Sequence, residues 1–227
     1  MGLRGPKPKR QEIKWTEDFA YAVGLLATDG CLSSDGRHLS LVSKDREQVE
    51  AIKRCLGLGA GIRRHDAGVA GKDRAYFRIQ WGDVILYDFL RSIGIRERKS
   101  LTIGALQIPD EYFFDFLRGS FDGDGSFYSY RDPRWSTSFM IYTSFASASH
   151  AHVCWLRETV RRLAGIVGHV SVSKRGNGMY SLRYAKRESL QLLARLYSKA
   201  GSACLARKRL KIERSLRIVG ELLPAGS

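Results

Sequence analysis

The alternation of apolar and polar positions divides the chain into two series of elements that follow the same order. Trp15-Thr16-Glu17-Asp18 predicts a helix start, with Thr16 as N-cap and two acids in the first turn. The helix reads FAYAVGLLATDG and closes on Asp29-Gly30. Alternating segments at Cys31–Ser33 and His38–Val42, around Ser34-Asp35-Gly36, predict a hairpin. REQVEAIKRCLGL (46–58) returns to helical spacing, with Val49, Ile52 and Leu56 on one stripe. A second hairpin, Ile62–Arg64 with Tyr76–Trp81, and a helix over 83–94 complete the series.

The second series starts with Phe113, Leu117 and Phe121 at helical spacing, in a stretch that runs FDFLRGSFDGDGSF from Phe114 to Phe127. Ser126–Tyr130 and Ser138–Phe145 then alternate around Asp132-Pro133. The helix HVCWLRETVRRLAG (152–165) repeats the apolar stripe with Val153, Leu156 and Val160. A hairpin, His169–Ser173 with Met179–Tyr184, and a helix over 187–198 follow. Each series ends on an Arg-Lys pair, Arg98-Lys99 and Arg207-Lys208. The order α-β-β-α-β-β-α, given twice, predicts an α+β fold of two pseudo-symmetric repeats, each with an antiparallel sheet. Residues 1–14 read as a basic arm, 15–100 as the first repeat, and 101–111, with Pro109, as a linker. Residues 112–227 read as the second repeat with a basic C-terminal segment.

Laid over each other, GLLATDG (24–30) and GSFDGDG (119–125) match at both glycines and at the last aspartate. An acid in the last turn of a helix meets the negative end of the macrodipole, which is unfavourable unless a cation uses the potential. Ala22, Val23 and Gly24 on one helix, with Gly119 and Ser120 on the other, allow backbones to approach closely. Two helices packed in parallel this way bring Asp29 and Asp124 together. Mg²⁺ held by one or two carboxylates, waters and substrate phosphates suits such a pair, and metals so placed serve phosphodiester hydrolysis. The competing reading makes each Asp-Gly a helix C-cap without chemistry. Asp122 corresponds to Ala27 in the first motif, so it is assigned to capping or helix-end hydrogen bonding rather than to metal.

Composition narrows the partner. The chain has 227 residues, 44% hydrophobic, and a formal net charge of +15 from 38 basic and 23 acidic residues. That surplus suits a polyanion, nucleic acid first, whereas no segment joins a basic face to a strongly apolar one as a membrane surface would require. Cys31, Cys55, Cys154 and Cys204 are widely spaced and imply neither zinc nor disulfides. The histidines are scattered and support no histidine metal site, and KRGNG reads as a hairpin turn. No apolar signal core follows the basic start and no run would cross a bilayer, so the expectation is an intracellular protein, of a bacterial cytoplasm or an organelle, not secreted.

At LRGSFDGDG (117–125) and AVGLLATDG (22–30) the chain resembles the LAGLIDADG homing endonucleases, whose name spells the motif. The second stretch is the looser match and keeps Gly24, Asp29 and Gly30. The resemblance implies a monomer whose two curved sheets form a saddle over double-stranded DNA, with the motif helices at the interface between halves. It gives Asp29 and Asp124 the catalytic metals, Mg²⁺ with Mn²⁺ or Ca²⁺ able to substitute for binding, with backbone carbonyls from Thr28 and Gly123. It places a lysine of each half, Lys99 and Lys208, near the scissile phosphates, where a lysine can offset developing charge; a solvated basic residue is the alternative. Ser43 and Ser147 stand where the family often has polar, water-organising groups.

By the same resemblance the strands read DNA, since a two-stranded ribbon fits the major groove. The candidates are Arg37, Arg63, Arg64, Arg78 and Gln80 in the first half. In the second they are Tyr128, Arg131, Arg134, Lys174, Arg175 and Arg183. Each could hold backbone or read a base. The unlike sheets imply a long, non-palindromic site. The expected activity is site-specific, metal-dependent cleavage of both strands. The alternative is a non-cleaving relative that assists intron splicing or regulates transcription. Such relatives often lose the motif acids, and both are present. The chain leaves no room after Lys208 for a helix-turn-helix domain and lacks the leading Cys or Ser and terminal His-Asn of a self-splicing host, which fits a freestanding nuclease.

Overall fold

The computed structural model describes residues 13–66, 75–173 and 178–224. The first series folds as α1 (Glu17–Thr28), β1 (Gly30–Leu32), β2 (His38–Ser43), α2 (Arg46–Cys55), β3 (Arg63–Asp66), β4 (Ala75–Gly82) and α3 (Val84–Ser92). A short 3-10 turn at Asp110–Tyr112 leads into the second: α4 (Phe113–Asp124), β5 (Gly125–Asp132), β6 (Trp135–Ser147), α5 (His150–Ala164), β7 (His169–Ser173), β8 (Met179–Tyr184) and α6 (Lys186–Leu196). The predicted order thus recurs in both halves, in an α+β fold. Thr16 caps α1 as expected, its hydroxyl accepting from the Phe19 amide at 3.1 Å. One further helix, α7 (Ala206–Ile218), forms where only a basic segment was predicted. It buries Ile212, Ser215 and Leu216 on one side and exposes its charges on the other.

Each half builds a four-stranded antiparallel sheet with the same order, β1-β2-β4-β3 and β5-β6-β8-β7. One face of each sheet is covered by helices, α2 and α3 in the first half and α5 and α6 in the second. Strand alternation puts Leu39, Leu41, Ile79 and Trp81 on the covered face of the first sheet, and Phe127, Ile141, Phe145, Leu182 and Tyr184 on that of the second. The opposite faces are open. Helices α1 and α4 pack against each other at the centre, and most residues of both are buried. Helices buried on most sides lose much of the usual amphipathic asymmetry, and glycines stand at the points of closest approach. Among the described residues, no helix is long and apolar enough to cross a membrane.

Candidate active site at the end of the paired helices

Glycines fix the approach of α1 and α4. A Cβ on Gly24 would lie 2.1 Å from the Phe116 carbonyl oxygen and 2.7 Å from the Ser120 amide nitrogen. A Cβ on Gly119 would lie 2.1 Å from the Tyr21 carbonyl oxygen and 3.1 Å from Gly24 Cα. Backbone therefore meets backbone at this level, as the small residues predicted. One turn on, the contact brings the motif ends together: a Cβ on Gly123 would fall 2.0 Å from Thr28 Oγ1 and 3.0 Å from Asp29 Oδ2. Asp29 caps α1 and Asp124 ends α4, and neither helix carries a basic residue in its last turn.

The two carboxylates stand partly enclosed by protein yet open to solvent on one side. Enclosure raises the pKa of Asp29 above the ordinary carboxylate value, while Gln48, Lys99 and Lys208 oppose the shift. Enclosure also raises that of Asp124, and there the neighbouring Asp29 charge adds to it. Such a pair favours a nearby cation. Both lysines stand in the second layer. Lys99 Nζ donates to the Gly30 carbonyl, and Lys208 Nζ donates to the backbone carbonyls of Phe121, of Asp122 at 2.9 Å and of Gly125 at 2.8 Å. Gly30 and Gly125 are the matching last glycines of the two motifs, so the lysines make equivalent contacts in the two halves. Lys208 thereby satisfies two carbonyls in the last turn of α4, and Lys99 satisfies the first carbonyl of β1, just beyond the α1 cap. Burial lowers both lysine pKa values, that of Lys208 to about 8, against the pull of the surrounding aspartates.

Asp122 turns away from this cluster. It is 1% exposed, and its Oδ2 accepts from Tyr21 Oη at 2.8 Å and from the Leu205 amide at 2.7 Å. It joins α1 to α4 and meets the first amide ahead of α7, which agrees with hydrogen bonding at the helix end. Arg118, within the same motif, is also buried. It pairs with Asp115 at 2.7 Å and donates to the Ala203 and Leu196 carbonyls at 2.8 and 2.9 Å.

Gln48, on α2, was not among the predicted site residues. Its side chain is 3% exposed, its Nε2 donates to Asp29 Oδ2 at 2.6 Å, and its Oε1 accepts from Ser43 Oγ at 2.6 Å. Ser43 thus reaches Asp29 through Gln48. The signal was present: Gln48 lies four positions before Ile52, on the apolar stripe of its helix. His152 holds the corresponding place on α5 but donates its Nδ1 proton to the Gly104 carbonyl at 2.9 Å. Among the described residues, none plays the part of Gln48 for Asp124. A cavity of about 230 Å³ opens beside Asp124 instead, lined also by Lys99, Ser120, Ser147 and His152.

The predicted strand residues separate by face. Arg63, Arg78 and Gln80 are exposed on the open face of the first sheet. Arg64 pairs with Phe77 on the opposite side, because adjacent strand residues point opposite ways. Arg37 lies in the β1–β2 turn with its side chain over Gly82. In the second sheet Tyr128 and Arg183 share the open face, whereas Arg131 stands over the Phe139 ring on the covered side. Arg134 is in the β5–β6 turn, beside Asp132 at 3.3 Å. Lys174 and Arg175 lie outside the described residues.

Among the described residues there is no cluster of three or more His, Cys, Asp or Glu able to hold a metal. Two carboxylates are enough for a hard divalent cation that keeps water and takes its remaining ligands from a phosphate, so the donor set fits such a cation rather than zinc.

No protein-family model matches the chain, and no curated protein matches it. Solved structures do. The homing endonuclease I-WcaI bound to its DNA recognition sequence aligns with 93% of this chain and 95% of its own, at 12% identity and a TM-score of 0.62. I-DmoI in complex with DNA and Ca aligns with 86% of this chain and 97% of its own, at 13% identity and a TM-score of 0.55. Full-length DUF199/WhiA from Thermatoga maritima aligns with 90% of this chain at 14% identity and a TM-score of 0.54, and the match spans 62% of the WhiA chain. The crystallised N-terminal LAGLIDADG domain of DUF199/WhiA aligns with 87% of this chain. The chain has the LAGLIDADG fold, with one motif helix from each half at its centre.

Proposed function

We propose that this chain is a site-specific endonuclease that hydrolyses both strands of a long, asymmetric DNA duplex with divalent cations. The observation that carries the reading is the meeting of Asp29 and Asp124, one from each half, at two helix ends locked by backbone contact. A binding module would need neither acid there. Duplex DNA as the partner is supported by the net charge of +15 and by the open faces. Arg63 sits directly opposite Arg78 across strands β3 and β4, and like charges facing across a ladder are destabilising without an anion to share. I-WcaI and I-DmoI, of the same fold, were solved with DNA bound, I-DmoI with calcium as well.

In this reading Asp29 and Asp124 hold the cations, with the Thr28 and Gly123 carbonyls beside them. Magnesium, when bound, would supply Lewis-acid stabilisation of the charge developing on phosphate oxygens. Gln48 fixes the orientation of the Asp29 carboxylate. Lys99 and Lys208 neutralise the helix ends and lower the field against an approaching phosphate. A single chain supplies both acids, so a monomer suffices, and its unlike sheets call for a non-palindromic target.

The test is cleavage selection from a randomised duplex library with the full chain. The selected site should be cut in Mg²⁺ and left intact in EDTA. Asp29→Asn and Asp124→Asn should lose cutting and keep binding. A parent protein that binds one site and never cuts it, under any divalent cation, would make the chain a non-cleaving DNA-binding module. Full activity in either asparagine variant would remove that aspartate from the site.

A further inference from the structure

We propose that Arg183 reads a guanine in the part of the site under the second sheet, rather than holding a phosphate; this rests on the duplex-DNA reading above. A base-reading side chain must stand near the middle of the open face, because a ribbon in the major groove brings its centre to the base edges and its margins to the phosphates. Of the second-half arginines predicted to contact DNA, only Arg183 among the described residues stands on the open face of an inner strand, away from the side edges of the sheet. Arg131 is on the covered face and Arg134 is in a turn at the margin, held by Asp132.

Arg183 belongs to β8, an inner strand, between Leu182 and Tyr184, which are both fully buried on the other face. It is flanked by Ser144 on one neighbouring strand and His169 on the other. Its guanidinium reaches across β6, to 5.9 Å from the Tyr128 ring centre and 6.0 Å from that of Tyr142. Those two rings stack at 4.9 Å with 16° between their planes. No carboxylate among the described residues forms an ion pair with it. A long cationic side chain laid against a rigid aromatic pair has fewer rotamers to lose on binding. Its planar fork matches O6 and N7 of guanine, while an ammonium would not. The arginine is therefore on an inner strand, in no carboxylate pair among the described residues, and held against the tyrosines before DNA arrives.

The experiment is binding selection from a randomised duplex library in Ca²⁺, with the full chain and with Arg183→Ala, Arg183→Lys, Tyr142→Ala and Tyr142→Phe. The parent should prefer guanine at one position by about 5- to 150-fold. Arg183→Ala and Arg183→Lys should lose that preference and keep the others. Tyr142→Ala should weaken it at the same position, and Tyr142→Phe should retain it. An Arg183→Ala protein that keeps every base preference, binds all sequences more weakly and loses about 0.9 from its salt slope would make Arg183 a phosphate contact and overturn the proposal. Circular dichroism of each variant separates these results from misfolding. A parent that enriches no sequence would overturn the duplex reading itself, before any variant is compared.

Discussion

Adding one methyl group at Gly119 should unfold the protein more easily, although alanine is the better helix former. The new Cβ would stand 2.1 Å from the Tyr21 carbonyl oxygen, whereas ordinary contact begins near 3.4 Å. Relief requires α1 and α4 to separate locally by about 1.3 Å, the difference between those distances. Backbone lies on both sides, so no side chain can swing away. Overpacking of this kind costs about 3 kcal/mol at the upper end of the usual range, against about 1 kcal/mol gained from replacing glycine by alanine in a helix. The net loss of about 2 kcal/mol corresponds to a Tm lower by about 4–8 °C for a chain of this length. Gly24→Ala should behave alike, and the double variant should cost less than the two singly, since one separation relieves both clashes. Gly59→Ala, which places its methyl in open space, serves as the control and should stay within about 0.5 kcal/mol. Thermal unfolding followed by circular dichroism measures all four. A Gly119→Ala protein as stable as its parent would refute direct backbone contact between the helices.

Four further outcomes follow from the same structure. Arg118→Leu should lose about 3–5 kcal/mol in urea unfolding, because it leaves Asp115 and two carbonyls without their buried cation. Asp122→Ala should lose about 2 kcal/mol or more, stranding the Tyr21 hydroxyl and the Leu205 amide, while Ala27→Asp should not restore it. Burial holds the His152 pKa below its ordinary value of 6.5, so the unfolded chain takes up the proton first. Its contribution is complete above about pH 6.5 and is lost as the pH falls below that, so the parent should lose stability relative to His152→Gln between pH 7 and 5. Gln48→Leu should lower the cutting rate of the strand served by Asp29 more than that of the other, visible as accumulated nicked plasmid; equal slowing of both strands would contradict the one-sided hydrogen bond.

Much of this architecture was legible because each half repeats it. The switch between periods of two and near four marks strands and helices, and the matched glycines and acids mark which helices pair. Three things were missed for physical reasons. Helix α7 buries two apolar residues and a serine amid repeated lysines and arginines, so its stripe is too thin to stand out from basic charge. Gln48 and His152 stand far in sequence from the acids they neighbour, on helices read only for their apolar stripes. Arg63 and Arg64 were both nominated as readers, yet neighbours in a strand cannot share a face; a count by twos would have separated them, as it would Tyr128 from Arg131. Element order put Lys99 and Lys208 after the last sheet-packing helix of each half, and their contacts with Gly30 and Gly125 could be identified only in three dimensions.

The glycine-to-glycine seam has a consequence for how such a protein changes over time. Because the gap between the two acids is set by main chain, it does not depend on which side chains occupy the strands. The open faces can therefore accumulate substitutions, one strand position at a time, while the spacing of Asp29 and Asp124 stays constant. A gauge made of backbone separates the sheet surfaces from the spacing of the acids, and lets the first drift without disturbing the second.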